Sequence, residues 1–240
     1  MGFILADIPR MKLRFAILLP SITASVLLSS CATKFTAAQR AQLSTVAITK
    51  TTVDPEAYEE PYGGDIDARN RASNVPGFGA LGPLVGAAVG HSIAGTQNNM
   101  FRGENSGHFT LVQKNTPRDL PVRLQTKLQD SLKNDSFFKS RLRPSSSNVI
   151  TSEITSYRLL RVGKDDNDKL LFTPEVYVNI YLKDSAGTNL AGRTYIGRGT
   201  QSYTIDQYAA SSEKTRKAYE DALDNAVAAF KAELAIKTGE

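Results

Sequence analysis

A chain of 240 residues with one cysteine cannot close an intramolecular disulfide, and here that cysteine stands at position 31. Even in a compartment that permits disulfides, the fold must therefore rest on an ordinary hydrophobic core. The clearest instruction for that core is the run Val176, Val178, Ile180 and Leu182, alternating with Tyr177, Asn179, Tyr181 and Lys183. A period of two sends one set to a buried sheet face and the other to the opposite face. Asp184-Ser185-Ala186-Gly187 predicts a turn, and Asn189 to Tyr203 a returning strand. Further on, Tyr219, Leu223, Val227, Phe230 and Leu234, with Ala222 and Ala226 beside them, form the apolar stripe of a long helix capped by Ser211 or Ser212.

The remaining elements are read the same way. Leu43 to Thr52 alternates and is rich in Thr, Val and Ile, which predicts a first strand. Asp54 to Arg71, with Pro55, Pro61 and Gly63-Gly64, is expected to be loop. Gly107 to Gln113 predicts another strand. Thr116-Pro117-Arg118-Asp119 opens a helix on which Leu120, Leu124, Leu128 and Leu132 recur every fourth residue. Ser136 to Pro144 turns the chain, Val149 to Val162 reads as a long strand, and Gly163 to Lys169 as a polar hairpin tip. The expected architecture is α+β: a mostly antiparallel sheet of about four to five strands with two helices on one face. One domain over residues 43–240 would carry it, interrupted by a Gly-rich insertion at about 72–101.

At the front, Lys12 and Arg14 precede an apolar run from Phe15 to Leu28, and small residues then lead to Cys31. This is the layout of a secretory signal over residues 1–30, with translation expected to start at Met11. Pro20 and Ser21 interrupt the run, and it is shorter than the roughly 20 residues of a spanning helix. Leu28-Ser29-Ser30-Cys31 resembles the lipobox of bacterial lipoproteins. The resemblance implies that Cys31 becomes a lipid-modified first residue, that residues 31–42 form a tether, and that Ala32 directs the protein to the outer membrane, facing the periplasm.

The insertion has its own pattern. Gly82, Gly86 and Gly90 fall four apart, Ala94 continues the row, and Pro83 suits a first helical turn. On a helix this makes one face nearly bare, so that another backbone can approach closely. The segment resembles the glycine-zipper stretches of small envelope and surface-exclusion lipoproteins, with one row in place of a paired hairpin. The pattern points to membrane contact or self-association, or to a segment packed tightly on its own domain. The helix and hairpin order of the rest resembles the small α/β domains related to the curli-secretion lipoprotein and to the N-terminal domain of TolB.

Catalytic signatures are scarce. His91 and His108 have no Cys or carboxylate at ligand spacing, and no nucleophile elbow, phosphate loop or dinucleotide fingerprint occurs. Asp165, Asp166 and Asp168 lack the glycine and terminal glutamate of a calcium loop and read as a solvated turn, as Ser145-Ser146-Ser147 reads as loop. Of the +5 formal charge, the leader holds +2 through Arg10, Lys12, Arg14 and Asp7, leaving a mildly basic mature chain with both signs interspersed. Such a surface argues against nucleic acid and leaves attraction to anionic envelope surfaces open. Tyr177, Tyr181, Tyr195 and Tyr203 are expected to line up opposite the aliphatic set, as a surface for sugar or peptide. The expected protein is not an enzyme and takes no metal or cofactor. It is held to the membrane through Cys31 and binds another envelope protein or itself. The alternative is a subunit of an oligomeric membrane assembly of secretion, transport or pore type, joined through Gly82, Gly86 and Gly90.

Overall fold

The computed structural model describes residues 33–61, 99, 101 and 103–239. In chain order these hold α1 (Ala37–Gln42), β1 (Ala47–Ile48), β2 (Thr52–Val53), α2 (residues 103–115), α3 (Leu120–Lys133), β3 (Val149–Lys164), β4 (Leu170–Lys183), β5 (Asn189–Arg198), β6 (Tyr203–Thr204), α4 (Ile205–Ala210) and α5 (Ser212–Thr238). The class is α+β, as expected. The sheet, however, is mixed rather than mostly antiparallel, and has six strands among the described residues. β3, β4 and β5 pair antiparallel through tight turns, whereas β1 and β2 run parallel to the outer edge of β3. A parallel pair needs a long crossover, and the chain between β2 and β3 supplies it.

Strand β3 illustrates how side-chain alternation is preserved across an irregularity. Ile150, Ser152 and Ile154 point inward; a bulge between Ile154 and Ser156 then shifts the register, so that Tyr157 and Leu159 continue the same face. Opposite them, Phe172, Val176, Val178, Ile180 and Leu182 of β4 are fully buried. Helix α5 lays its expected stripe, from Tyr219 through Phe230 to Leu234, on β4 and β5, and α3 packs beside it with Leu120, Leu124, Leu128 and Leu132 buried. Ser211 caps α5 through its side chain, which accepts from the Lys214 N–H.

Two strand expectations are corrected. Gly107 to Gln113 lies within helix α2, because Phe101, Phe109, Val112 and Thr116 recur at helical spacing and are all buried, while Leu111 stays exposed. Leu43 to Thr52 is not one strand: Leu43 closes α1, and the chain then pairs in two short pieces, at Ala47–Ile48 and Thr52–Val53. The stretch expected to be tether also takes part in the domain. Phe35 is buried against Phe137, its ring centre 6.3 Å away, and its N–H donates to the Lys237 carbonyl at 2.8 Å.

Candidate functional site

The sheet turns its other face away from the helices, and the two tyrosines expected there are on it. Tyr177 lies opposite Ser156 and Ile196, and Tyr181 opposite Thr151 and Gly192. Both rings are half-exposed, with Asn179 between them bonded to Thr194. The four-tyrosine row does not form. Tyr195 pairs with Val178 and therefore points inward, where it meets the Phe230 ring edge-on. Tyr203 pairs with Phe172 and packs edge-on against Tyr208. Alternation counted from β4 does not carry across a turn into β5 and β6, since the pairing register decides each face.

Beside Tyr177 the same face holds an ion network that no motif in the sequence announces. Glu175 is only 1% exposed and accepts from Arg158 Nη2 at 3.0 Å, Arg198 Nε at 2.7 Å and the Tyr177 hydroxyl at 3.1 Å. Arg158 also donates to Glu59 at 2.8 Å. Burial, and next to it the Glu175 charge, raises the Tyr177 hydroxyl above its ordinary value. Three donors thus converge on one buried carboxylate, and the cluster ties β3, β4 and β5 together. Glu59 sits in an irregular segment and Glu175 interrupts an apolar strand; only the second was a visible signal, as a charge in a buried run.

The other expected groups are spread apart. His108 lies on α2, 3.3 Å from Asp206. Asp165 accepts from the backbone of Asn167 and Lys169, and Asp168 pairs with Lys164, so these aspartates shape the hairpin tip. Ser146 bonds to Thr45 and Asn148 and ties a loop. Among the described residues no group of His, Cys, Asp and Glu is placed to hold a metal ion. Nor, among them, is any helix long and apolar enough to cross a membrane. Cys31, Gly82, Gly86, Gly90 and His91 lie outside the described residues.

A second feature missed from sequence is a set of tyrosines between α5 and the start of β2's onward loop. Tyr58 packs against Tyr157, and Tyr157 edge-on against Tyr219. Among the described residues the buried hydroxyl of Tyr58 finds no hydrogen-bond partner, and that of Tyr219 has at most Thr116. Burial, then the Glu60 charge, pushes the Tyr58 hydroxyl up to about 12, and burial raises that of Tyr219 well above its ordinary value. Two adjoining clefts of about 360 and 450 Å³ run along α2 and share Tyr58, Thr110 and Gln113. Their described walls offer amide and hydroxyl groups, Glu60, Lys114 and Arg118 for hydrogen bonding.

No family model matches this chain, and no curated protein matches it. Among solved structures it is similar to a minor lipoprotein from Acinetobacter baumannii, at 14% identity and a TM-score of 0.35, over 52% of this chain and 89% of that one.

Proposed function

We propose that this chain is a lipid-anchored, non-catalytic cell-envelope protein that holds its α+β domain in the periplasm, on the outer membrane, and binds another envelope component. The observation that carries the reading is Leu28-Ser29-Ser30-Cys31 behind a basic and apolar leader. The spending of Glu175, Asp165, Asp168 and Ser146 on internal bonds supports the non-catalytic part. The half-exposed Tyr177–Asn179–Tyr181 ridge is the surface we assign to a sugar or peptide partner, since tyrosines there offer flat apolar area with a polar tip. Growth with a radioactive fatty acid tests the anchor: the wild-type chain takes up label and fractionates with the outer membrane, and Cys31→Ala does neither. A Cys31→Ala chain that still labels sinks the anchor. Crosslinking in cells followed by co-purification tests the partner: Tyr177→Ala with Tyr181→Ala loses it, and an unchanged capture removes the ridge from the reading.

The spacing of Gly82, Gly86 and Gly90 favours a second reading, assembly of several copies through that segment. Native mass of detergent-extracted protein separates the two. A multimer that Gly86→Leu dissociates and Val85→Leu does not supports assembly; a strict monomer rejects it.

A further inference from the structure

We infer that the end of the domain built by α1, the turn after α3 and the last turn of α5 is a membrane-facing surface that binds anionic phospholipid headgroups. Its location rests on the lipid anchor proposed at Cys31; its affinity for anionic lipid does not.

Three chain segments converge there. Arg40 donates from Nη2 to the Thr238 carbonyl at 2.6 Å and from Nε to the Phe35 carbonyl. Lys34 Nζ and Arg40 Nη2 both come within 3.5 Å of where a Cβ on Gly239 would stand. Two cations thus crowd the carbonyl end of a 27-residue helix, the end that carries the negative pole of its dipole. From the third segment, the Arg141 guanidinium lies 3.9 Å over the Phe137 ring, which itself packs on Phe35. Lys139 is exposed in the same turn, and Lys237 is in the last turn of α5.

Among the described residues none of these five cations takes part in an ion pair, unlike Arg123, Lys127, Arg158 and Lys164 elsewhere on the domain. Two described acids nearby, Asp135 and Glu233, are turned inward. Asp135 is buried and accepts from the N–H groups of Phe137 and Phe138, and Glu233 accepts from Tyr195 and Gly192. Between the cations the surface is apolar: Ile236 is 55% exposed, and α1 has no buried residue, so Ala37, Ala38 and Ala41 face out. A basic rim around small apolar groups is the chemistry of a surface lying on headgroups.

Chain length supplies the reason why a bilayer is the occupant. Four residues from Cys31 bring the chain to Phe35, which is fixed in the core. Such a stretch spans at most about 14 Å even when fully extended, under two Debye lengths at physiological salt, where one is about 8 Å. A lipid on Cys31 therefore holds this end of the domain next to the bilayer, close enough for its cations to approach the headgroups.

The test uses the chain from Ala32 to Glu240, which forms one compact unit with the whole core inside it, and extruded vesicles of phosphatidylcholine with or without phosphatidylglycerol. The expected result is sedimentation with the phosphatidylglycerol vesicles, reversed by salt, and none with phosphatidylcholine alone. Lys34→Gln, Lys139→Gln and Lys237→Gln together should weaken binding roughly a hundredfold, at about fivefold per cation. Lys114→Gln, Lys164→Gln and Lys169→Gln remove the same charge elsewhere and should leave it unchanged, with circular dichroism confirming that both triple variants fold. Absence of binding overturns the inference, and so does an equal loss in both variants, which would make the attraction one of net charge. A chain that binds these vesicles but takes up no fatty acid in cells would instead sink the anchor and leave this surface standing.

Discussion

The backbone of Gly197 in β5 lies directly against the carbonyl of Ala222 in α5: a Cβ on Gly197 would stand 1.9 Å from that oxygen and 3.0 Å from the Ala226 Cβ. Strand and helix meet there backbone to backbone, which is why a glycine occupies the inner face of the edge strand. Gly197→Ala must push them apart and should cost about 1–3 kcal/mol. Gly163→Ala, with nothing within 4 Å of its new methyl group, should keep or slightly raise the melting temperature. Equal melting temperatures for the two variants would contradict the close approach.

The ion network around Glu175 predicts a ranking. Glu175→Ala leaves two guanidinium groups facing a buried gap and should cost about 3–5 kcal/mol. Arg198→Ala, whose side chain is 60% exposed, should cost under about 1 kcal/mol, and Arg158→Ala should fall between. Urea midpoints measure the order; Arg198→Ala as the worst of the three would show that burial does not set the energetics here.

Alkali should unfold the domain through its tyrosines. Burial, foremost, raises the hydroxyls of Tyr58, Tyr195, Tyr208 and Tyr219 above the ordinary value of 10. Each folded value lies above its unfolded one, so the stability these groups contribute is complete below pH 10. It is lost as the pH rises through the folded values, from about 10 to 12 for Tyr58. Each such group contributes a slope of up to about 1.4 kcal/mol per pH unit. Tyrosinate absorbance and loss of helical circular dichroism should therefore rise together; tyrosinate formation in a chain that stays folded would show the pockets to be open.

Phe230 is 1% exposed in the middle of the α5 stripe and meets Tyr195 edge-on. Phe230→Ala should cost about 3–5 kcal/mol, while Lys231→Ala should cost little. Similar melting temperatures would place the stripe elsewhere.

That stripe was legible from sequence because five large apolar residues share one helical face, and β4 because its alternation is uninterrupted. Helix α2 was not, since its buried contacts, Phe101, Phe109 and Val112, are sparse and the exposed Leu111 mimics strand alternation. The parallel placement of β1 and β2 depends on partners about 100 residues away, which no local pattern encodes. The site was legible in part for the same reason. Tyr177 and Tyr181 lie on the face their strand predicts, whereas the inward turn of Tyr195 depends on the register across β5. The basic end of the domain is assembled from residues near 34, 141 and 237, so it exists only in three dimensions.

The parallel pairing of Ala47 with Val149 also sets an order of events. Closing a loop of about 100 residues costs more chain entropy than closing the tight turns of β3, β4 and β5. The hairpins can therefore form from local contacts while the first strands wait. While they wait, the leading segment stays unpaired and the outer edge of β3 is open to other strands. The amides of Ala47 and Thr49, which bond to Asn148 and Ile150, should accordingly gain exchange protection after those between β4 and β5. Until they do, that edge is where this protein is most open to mispairing and to whatever chaperone receives it.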